Sequence, residues 1–141
     1  MSNSNERPGV GIATLVINEK GKVLIGRDGR KGESKYGVPG GHWENGETIK
    51  QCAKREVKEE SGIDCDIEGL VAVYDFYRED KGKNYVTIGM KGRVVAGELK
   101  DDPEEDRKEW GWYDPQEALD LDLFTPDRVL IERYLSGVVF E

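Results

Sequence analysis

The chain reads as an α/β protein with helices on both faces of a mixed β-sheet, and three features predict this. Strand-like runs surround two helical patterns, turn-forming residues separate the runs, and neither an internal repeat nor a linker-like segment interrupts the 141 residues. Residues 1–141 are therefore expected to form a single domain, with the polar stretch 1–7 frayed at its start.

Taken in order, Gly11 to Ile17 and Lys22 to Ile25 flank Asn18-Glu19-Lys20-Gly21 and read as strand, turn and strand. A Gly- and Lys-rich loop follows. Val38-Pro39-Gly40-Gly41 then lets the backbone turn and approach its surroundings as a Cβ would forbid. The first helix starts at Gly46-Glu47-Thr48, with Glu47 near the positive N-terminal end, and Gly62 ends it as a C′ glycine. Cys65 lies in an alternating segment. Leu70 to Tyr77 and Tyr85 to Val95 read as strands around the Asp80-Lys81-Gly82-Lys83 turn, and Glu109 to Tyr113 as a further short strand. The second helix opens at Thr125-Pro126-Asp127, with Thr125 as N-cap and Pro126 at the first helical position, and ends near Ser136-Gly137.

The net charge of −8 argues against a nucleic-acid polymer as partner, because such binding draws its affinity from Lys and Arg on phosphates. No apolar run approaches a membrane span and no signal peptide is visible, so a cytoplasmic enzyme is expected. Two cysteines make no disulfide framework, and Cys52 and Cys65 read as small apolar residues.

The first helix carries the chemistry. Counting about 100° per residue from Ile49, the apolar Cys52, Ala53 and Val57 fall within about 80° of it. Glu56, Glu59 and Glu60 share that sector, while Lys50, Gln51, Lys54 and Lys58 take the opposite side. The bland reading, a solvated acidic helix end, fails on direction: these carboxylates continue the buried stripe, where like charges repel and desolvation is costly. A cation must sit among them. Arg55 points elsewhere around the helix, so a divalent metal with oxygen ligands is expected, and a carbonyl of the Gly40-Gly41 turn is a further candidate ligand. That cation also answers the charge balance, because a polyphosphate approaching so acidic a chain needs the local sign inverted.

Residues 41–63, G-H-W-E-N-G-E-T-I-K-Q-C-A-K-R-E-V-K-E-E-S-G-I, match G-x5-E-x7-R-E-U-x-E-E-x-G-U at Gly41, Glu47, Arg55, Glu56, Val57, Glu59, Glu60, Gly62 and Ile63. On this run the chain resembles the Nudix hydrolase family. Arg7-Pro8-Gly9-Val10-Gly11, Tyr85-Val86-Thr87-Ile88 and Trp110-Gly111-Trp112 are similar to MutT-type nucleoside triphosphate diphosphatases, on the branch that includes the eukaryotic thiopurine-nucleotide diphosphatase. The resemblance implies a Nudix fold, an α/β/α sandwich with a mixed β-sheet between helices.

It also implies a set of roles. Mg²⁺, with Mn²⁺ as the alternative, is expected on Glu56, Glu59, Glu60 and the Gly40 carbonyl. Glu105, in the acidic stretch before Trp110, is named as a remote ligand, against the reading of that stretch as a solvated loop. With His42 the sole histidine, the general base falls to the glutamates, Glu56 first and then Glu59 and Glu60. Arg55 is expected to orient Glu56 or a neighbour, and Glu47 to support the loop-helix junction. Gly37 and Val38 are expected on the floor of a substrate pocket behind Gly41, with Thr87 and Phe124 contributing, though Thr87 also reads as an ordinary strand residue and Phe124 as a core plug.

The implied reaction is Mg²⁺-dependent cleavage of a pyrophosphate bond in a nucleoside triphosphate, giving the monophosphate and pyrophosphate. ADP-ribose, NDP-sugar and pterin triphosphate substrates stay open, as does a non-catalytic nucleotide-binding module. A proline about fifteen residues past the box and a Ser-Gln-Pro-Trp element, the marks of ADP-ribose and NADH hydrolases, are both missing. Lookalikes fall away quickly. Gly41 to Thr48 has phosphate-loop spacing but carries Glu47 where a lysine must stand, and Gly26, Gly29 and Gly32 lack the helix a dinucleotide fingerprint needs. A homodimer is expected, because similar enzymes often pair and Trp110, Trp112 and Tyr113 are able to supply an apolar patch, with core packing as the other reading of these rings.

Overall fold

The computed structural model describes residues 7–28, 35–100 and 107–141. In chain order these form β1 (Gly9–Ile17), β2 (Val23–Asp28), β3 (Lys35–Gly37), β4 (Gly40–His42), α1 (Ile49–Ser61), β5 (Ile63–Arg78), β6 (Lys83–Gly97), β7 (Arg107–Tyr113), α2 (Pro115–Ala118) and α3 (Thr125–Ser136). The sheet runs β3-β2-β1-β6-β5, with β4 also paired to β1 and β7 to β2. Strands β1 and β6 run parallel from Gly9 opposite Tyr85 to Ile17 opposite Arg93, while the other pairs are antiparallel. The sheet is mixed, as the sequence predicts.

Strand β1 shows why both faces are covered. Ala13 and Leu15 point into a core shared with Ala118, Leu130 and Ile131 of α2 and α3. Ile12 and Val16 point the other way, into clusters built on Cys52, Ala53 and Val57 of α1. A strand buried on both sides needs apolar residues at every position, which Ile12 to Ile17 supplies apart from Thr14. Both cysteines are buried and free.

Several boundaries differ from the sequence reading. Strand β5 starts at Ile63, seven residues before the expected Leu70, and shifts register three times against β6, which breaks the simple alternation. The three-residue strands β3 and β4 and the short α2, capped by Asp114, carry no periodic signal of their own. Helix α3 begins one residue earlier than expected: Phe124 is its N-cap and Thr125 already helical, with no side-chain cap. Backbone pairing replaces that cap, since Phe124 N–H donates to Tyr36 C=O at 2.8 Å and Tyr36 N–H to Asp122 C=O at 2.9 Å. Among the described residues no helix is long and apolar enough to cross a membrane.

Candidate active site

Helix α1 starts where a capping box places it: the Thr48 hydroxyl accepts from Gln51 N–H and the Gln51 side chain accepts from Thr48 N–H. Gly62 closes it at φ 84°. Those ends fix the phase of the helix, and Glu56 and Glu60, one turn apart, come to the side that meets β4. Glu60 is 3% exposed, and Gly40 N–H points at its Oε1 from 3.4 Å. The Glu56 carboxylate packs onto Gly41 so closely that a Cβ there would lie 2.5 Å from Glu56 Cδ. Gly40 and Gly41 are themselves held by antiparallel pairing to Ala13 and Ile12 of β1. Glu59 departs from the buried stripe, its side chain being 56% exposed.

The expectation that Arg55 points away from these carboxylates is corrected. Its guanidinium lies between them, donating to Glu47 at 2.9 and 3.0 Å, to Glu56 Oε1 at 2.8 Å and to Glu59 Oε2 at 3.3 Å. An arginine side chain is long enough to sweep back along the helix, and its fork meets two oxygens of one carboxylate at once. The Arg55 hydrogen bonds hold the Glu47 carboxyl at about 2, against an ordinary 4.5. Beside them burial pushes the Cys52 thiol up to about 12, so it stays protonated.

Among the described residues no three acidic groups converge as a ready-made cation cage, because Arg55 stands among them. The donor set nonetheless fits a hard divalent ion: the oxygens of Glu56 and Glu60 sit against the Gly40-Gly41 backbone, and exposed Glu59 has room to swing.

The same backbone forms one wall of a pocket on the α3 side of the sheet, lined by residues that include Ala13, Val38, Gly40, Gly41, Phe76, Thr87 and Asp127. Strand pairing explains the lining. Thr87 stands between Gly11 and Tyr74, and Tyr85 between Gly9 and Phe76, so glycines of β1 leave room on the face where β5 and β6 present side chains. Phe76 and Phe124 meet edge to face at 6.0 Å, with the Arg78 guanidinium 5.9 Å over the Phe124 ring. The pocket thus abuts the Glu56 and Glu60 carboxylates through two glycines.

The NUDIX domain family model matches residues 7–134, which include every element of this arrangement but the end of α3. This chain belongs to the Nudix hydrolase family. It is similar to the human 8-oxo-dGDP phosphatase NUDT18, 31% identical over 119 residues, covering 82% of this chain and 35% of that protein. It is 30% identical over 107 residues to the ADP-ribose pyrophosphatase of Methanocaldococcus jannaschii, covering 76% of this chain and 62% of the relative. The chain therefore spans about a third and under two thirds of these relatives' lengths. The crystal structure of a MutT protein from Methanosarcina mazei Go1 superposes with a TM-score of 0.77 at 28% identity, over 94% of this chain and 96% of that one.

In this Nudix hydrolase the box residues Glu47, Arg55, Glu56 and Glu59 form one ion-paired cluster, and Glu60 and Glu56 reach Gly40 and Gly41. Val38, Gly41, Thr87 and Phe124 all line the pocket. Gly37 lies behind that lining, with no room for a Cβ against Asp127. Glu105 lies outside the described residues. Trp110 is buried and donates its indole N–H to Glu60 C=O at 3.0 Å, while Trp112 and Tyr113 are half-buried and pack against the two cores.

Phe76, Arg78, Tyr85 and Asp127 of the lining were missed. Residues 74, 76 and 78 share one strand face, a signal that was available once the strand was known. His42 belongs to β4 and also lines the pocket.

Proposed function

We propose that this Nudix hydrolase cleaves a pyrophosphate bond in a nucleoside triphosphate, releasing the monophosphate and pyrophosphate. The observation that carries the reading is the junction at Gly40-Gly41, where acidic box residues on one side meet an aromatic-walled, largely apolar pocket on the other. Such a pocket suits a base, and the carboxylates lie where its phosphates would emerge.

Glu56, Glu59, Glu60 and the Gly40 carbonyl would hold Mg²⁺, or Mn²⁺ in its place, with Glu105 as a further ligand. Bound there, the ion neutralises phosphate charge and lowers the pKa of an attacking water. Glu56 is the first choice of general base, ahead of Glu59 and Glu60. Arg55 holds Glu56 and Glu59 in register with Glu47 through charged hydrogen bonds. A second reading, hydrolysis of ADP-ribose, is favoured by the methanogen relative's name.

The test is chromatographic detection of the nucleoside monophosphate formed from a panel of nucleoside triphosphates and ADP-ribose, with and without Mg²⁺, beside Glu60→Gln. Loss in the folded variant should exceed the roughly 10- to 100-fold seen for residues that only support a metal ligand. Turnover of ADP-ribose alone selects the second reading. A folded wild-type protein inactive on every compound leaves a nucleotide-binding module.

A further inference from the structure

We infer that Trp110 is a positioning residue for Glu60: its indole N–H anchors the last turn of α1 and so sets the site's affinity for a divalent ion. The inference rests on the reading of Glu60 as a metal ligand. Glu60 is the penultimate residue of α1, in the turn whose carbonyls find no donor within the helix. Trp110 supplies one. Its Nε1–H donates to Glu60 C=O at 3.0 Å, and Lys100 N–H donates to the neighbouring Ser61 C=O at 2.9 Å. Glu60 is thus gripped at its carbonyl by β7 while its carboxylate reaches Gly40 of β4. At 3% exposure that carboxylate has little room to swing, so its place follows the backbone, whereas Glu59, with a side chain 56% exposed, has space to adjust.

Trp110 is held in turn by a break in its own strand. Along β2 and β7, Ile25 stands opposite Gly111 and Arg27 opposite Lys108, so Glu109 and Trp110 together face Gly26. This is a β-bulge, and Glu109 in it lies at φ 57°, a left-handed backbone that a residue with a Cβ rarely adopts. Such strain persists only where the surroundings fix it, and it gathers at functional positions. Gly26 is the counterpart on β2: a Cβ there would lie 2.6 Å from the Trp110 ring, so the indole rests against bare backbone. The ring is 9% exposed and shares a buried cluster with Val57 of α1. Packing alone asks only for an apolar ring. The bulge and the glycine fix where this ring stands, and that brings its N–H onto Glu60.

The experiment measures Mn²⁺ binding to the nucleotide-free full chain by electron paramagnetic resonance, beside Trp110→Phe, Cys65→Ala and Glu60→Gln. Trp110→Phe keeps an aromatic ring and loses the N–H, whereas Cys65→Ala opens a void in the same buried cluster and leaves the hydrogen bond. Trp110→Phe should raise the Mn²⁺ dissociation constant by about 10- to 100-fold, as loss of a support to a metal ligand does, with Cys65→Ala within about threefold of wild type. An equal loss in the two variants makes Trp110 a packing residue only and overturns the inference. Should Trp110→Phe fail to fold, the wild type decides by NMR of its indole N–H groups, assigned through Trp43→Phe and Trp112→Phe. Coupling between the ion and Trp110 is reciprocal, so Mg²⁺ should shift the Trp110 Nε1–H signal along the binding curve, and a signal indifferent to saturating Mg²⁺ overturns the inference. A wild type that binds no Mn²⁺, or a Glu60→Gln that binds it as well as wild type, sinks the metal reading and this inference with it. Affinity lost in Glu60→Gln but kept in Trp110→Phe sinks this inference alone.

Discussion

Gly41→Ala tests whether the Glu56 carboxylate must stand where it does. The new Cβ would meet Glu56 Oε1 at 2.6 Å, whereas ordinary contact begins at 3.4 Å, so the carboxylate has to retreat by about 0.8 Å. Retreat strains its 2.8 Å hydrogen bond to Arg55. A misplacement near 1 Å in a reacting constellation costs about 100-fold in rate, or about 2.7 kcal/mol of barrier. Stability should change little, because Gly41 has no positive φ and the obstacle is the end of a flexible side chain. The assay is phosphate release in the presence of inorganic pyrophosphatase, alongside thermal melting. Gly69→Ala is the control, since a Cβ there meets nothing within 4 Å. A Gly41→Ala protein that keeps wild-type kcat/KM would refute the claim that Glu56 acts from this position.

Arg55→Lys removes the fork that joins Glu47, Glu56 and Glu59, and should lower kcat/KM by about 10- to 100-fold while Mg²⁺ dependence persists; steady-state kinetics across a Mg²⁺ series will check it. The Glu47 carboxyl is depressed to about 2, so its stabilisation is complete above pH 4.5 and is lost as pH falls from there toward 2. Glu47→Gln should therefore flatten the urea midpoint against pH in that window, and an unaltered slope would contradict the ion pair. The buried Tyr74 hydroxyl has no hydrogen-bond partner among the described residues, so Tyr74→Phe should stabilise the protein by about 1 kcal/mol in urea unfolding. A loss of stability in that variant would mean the hydroxyl is satisfied.

Local chemistry was enough for α1. The turn at Gly46, the Thr48 cap, the Gly62 terminus and the 3.6-residue period all lie within one stretch of chain, and together they set the phase that turns Glu56 and Glu60 inward. The β1–β2 and β5–β6 hairpins were legible for the same reason, because Asn18 to Gly21 and Asp80 to Gly82 carry their own turn chemistry. Contacts between distant segments decided the rest. Arg55 could not be placed by helical angle, since its fork answers to Glu47 eight residues away across the loop. Helix α3 begins where Tyr36 pairs with Asp122 and Phe124, which no cap preference reports. Asp127 looked like an ordinary first-turn acid and became a pocket wall only because Val38, 89 residues away, donates its N–H to it. Periodicity records which way a side chain leaves its own backbone; what it meets there depends on the pairing of segments far apart in the chain.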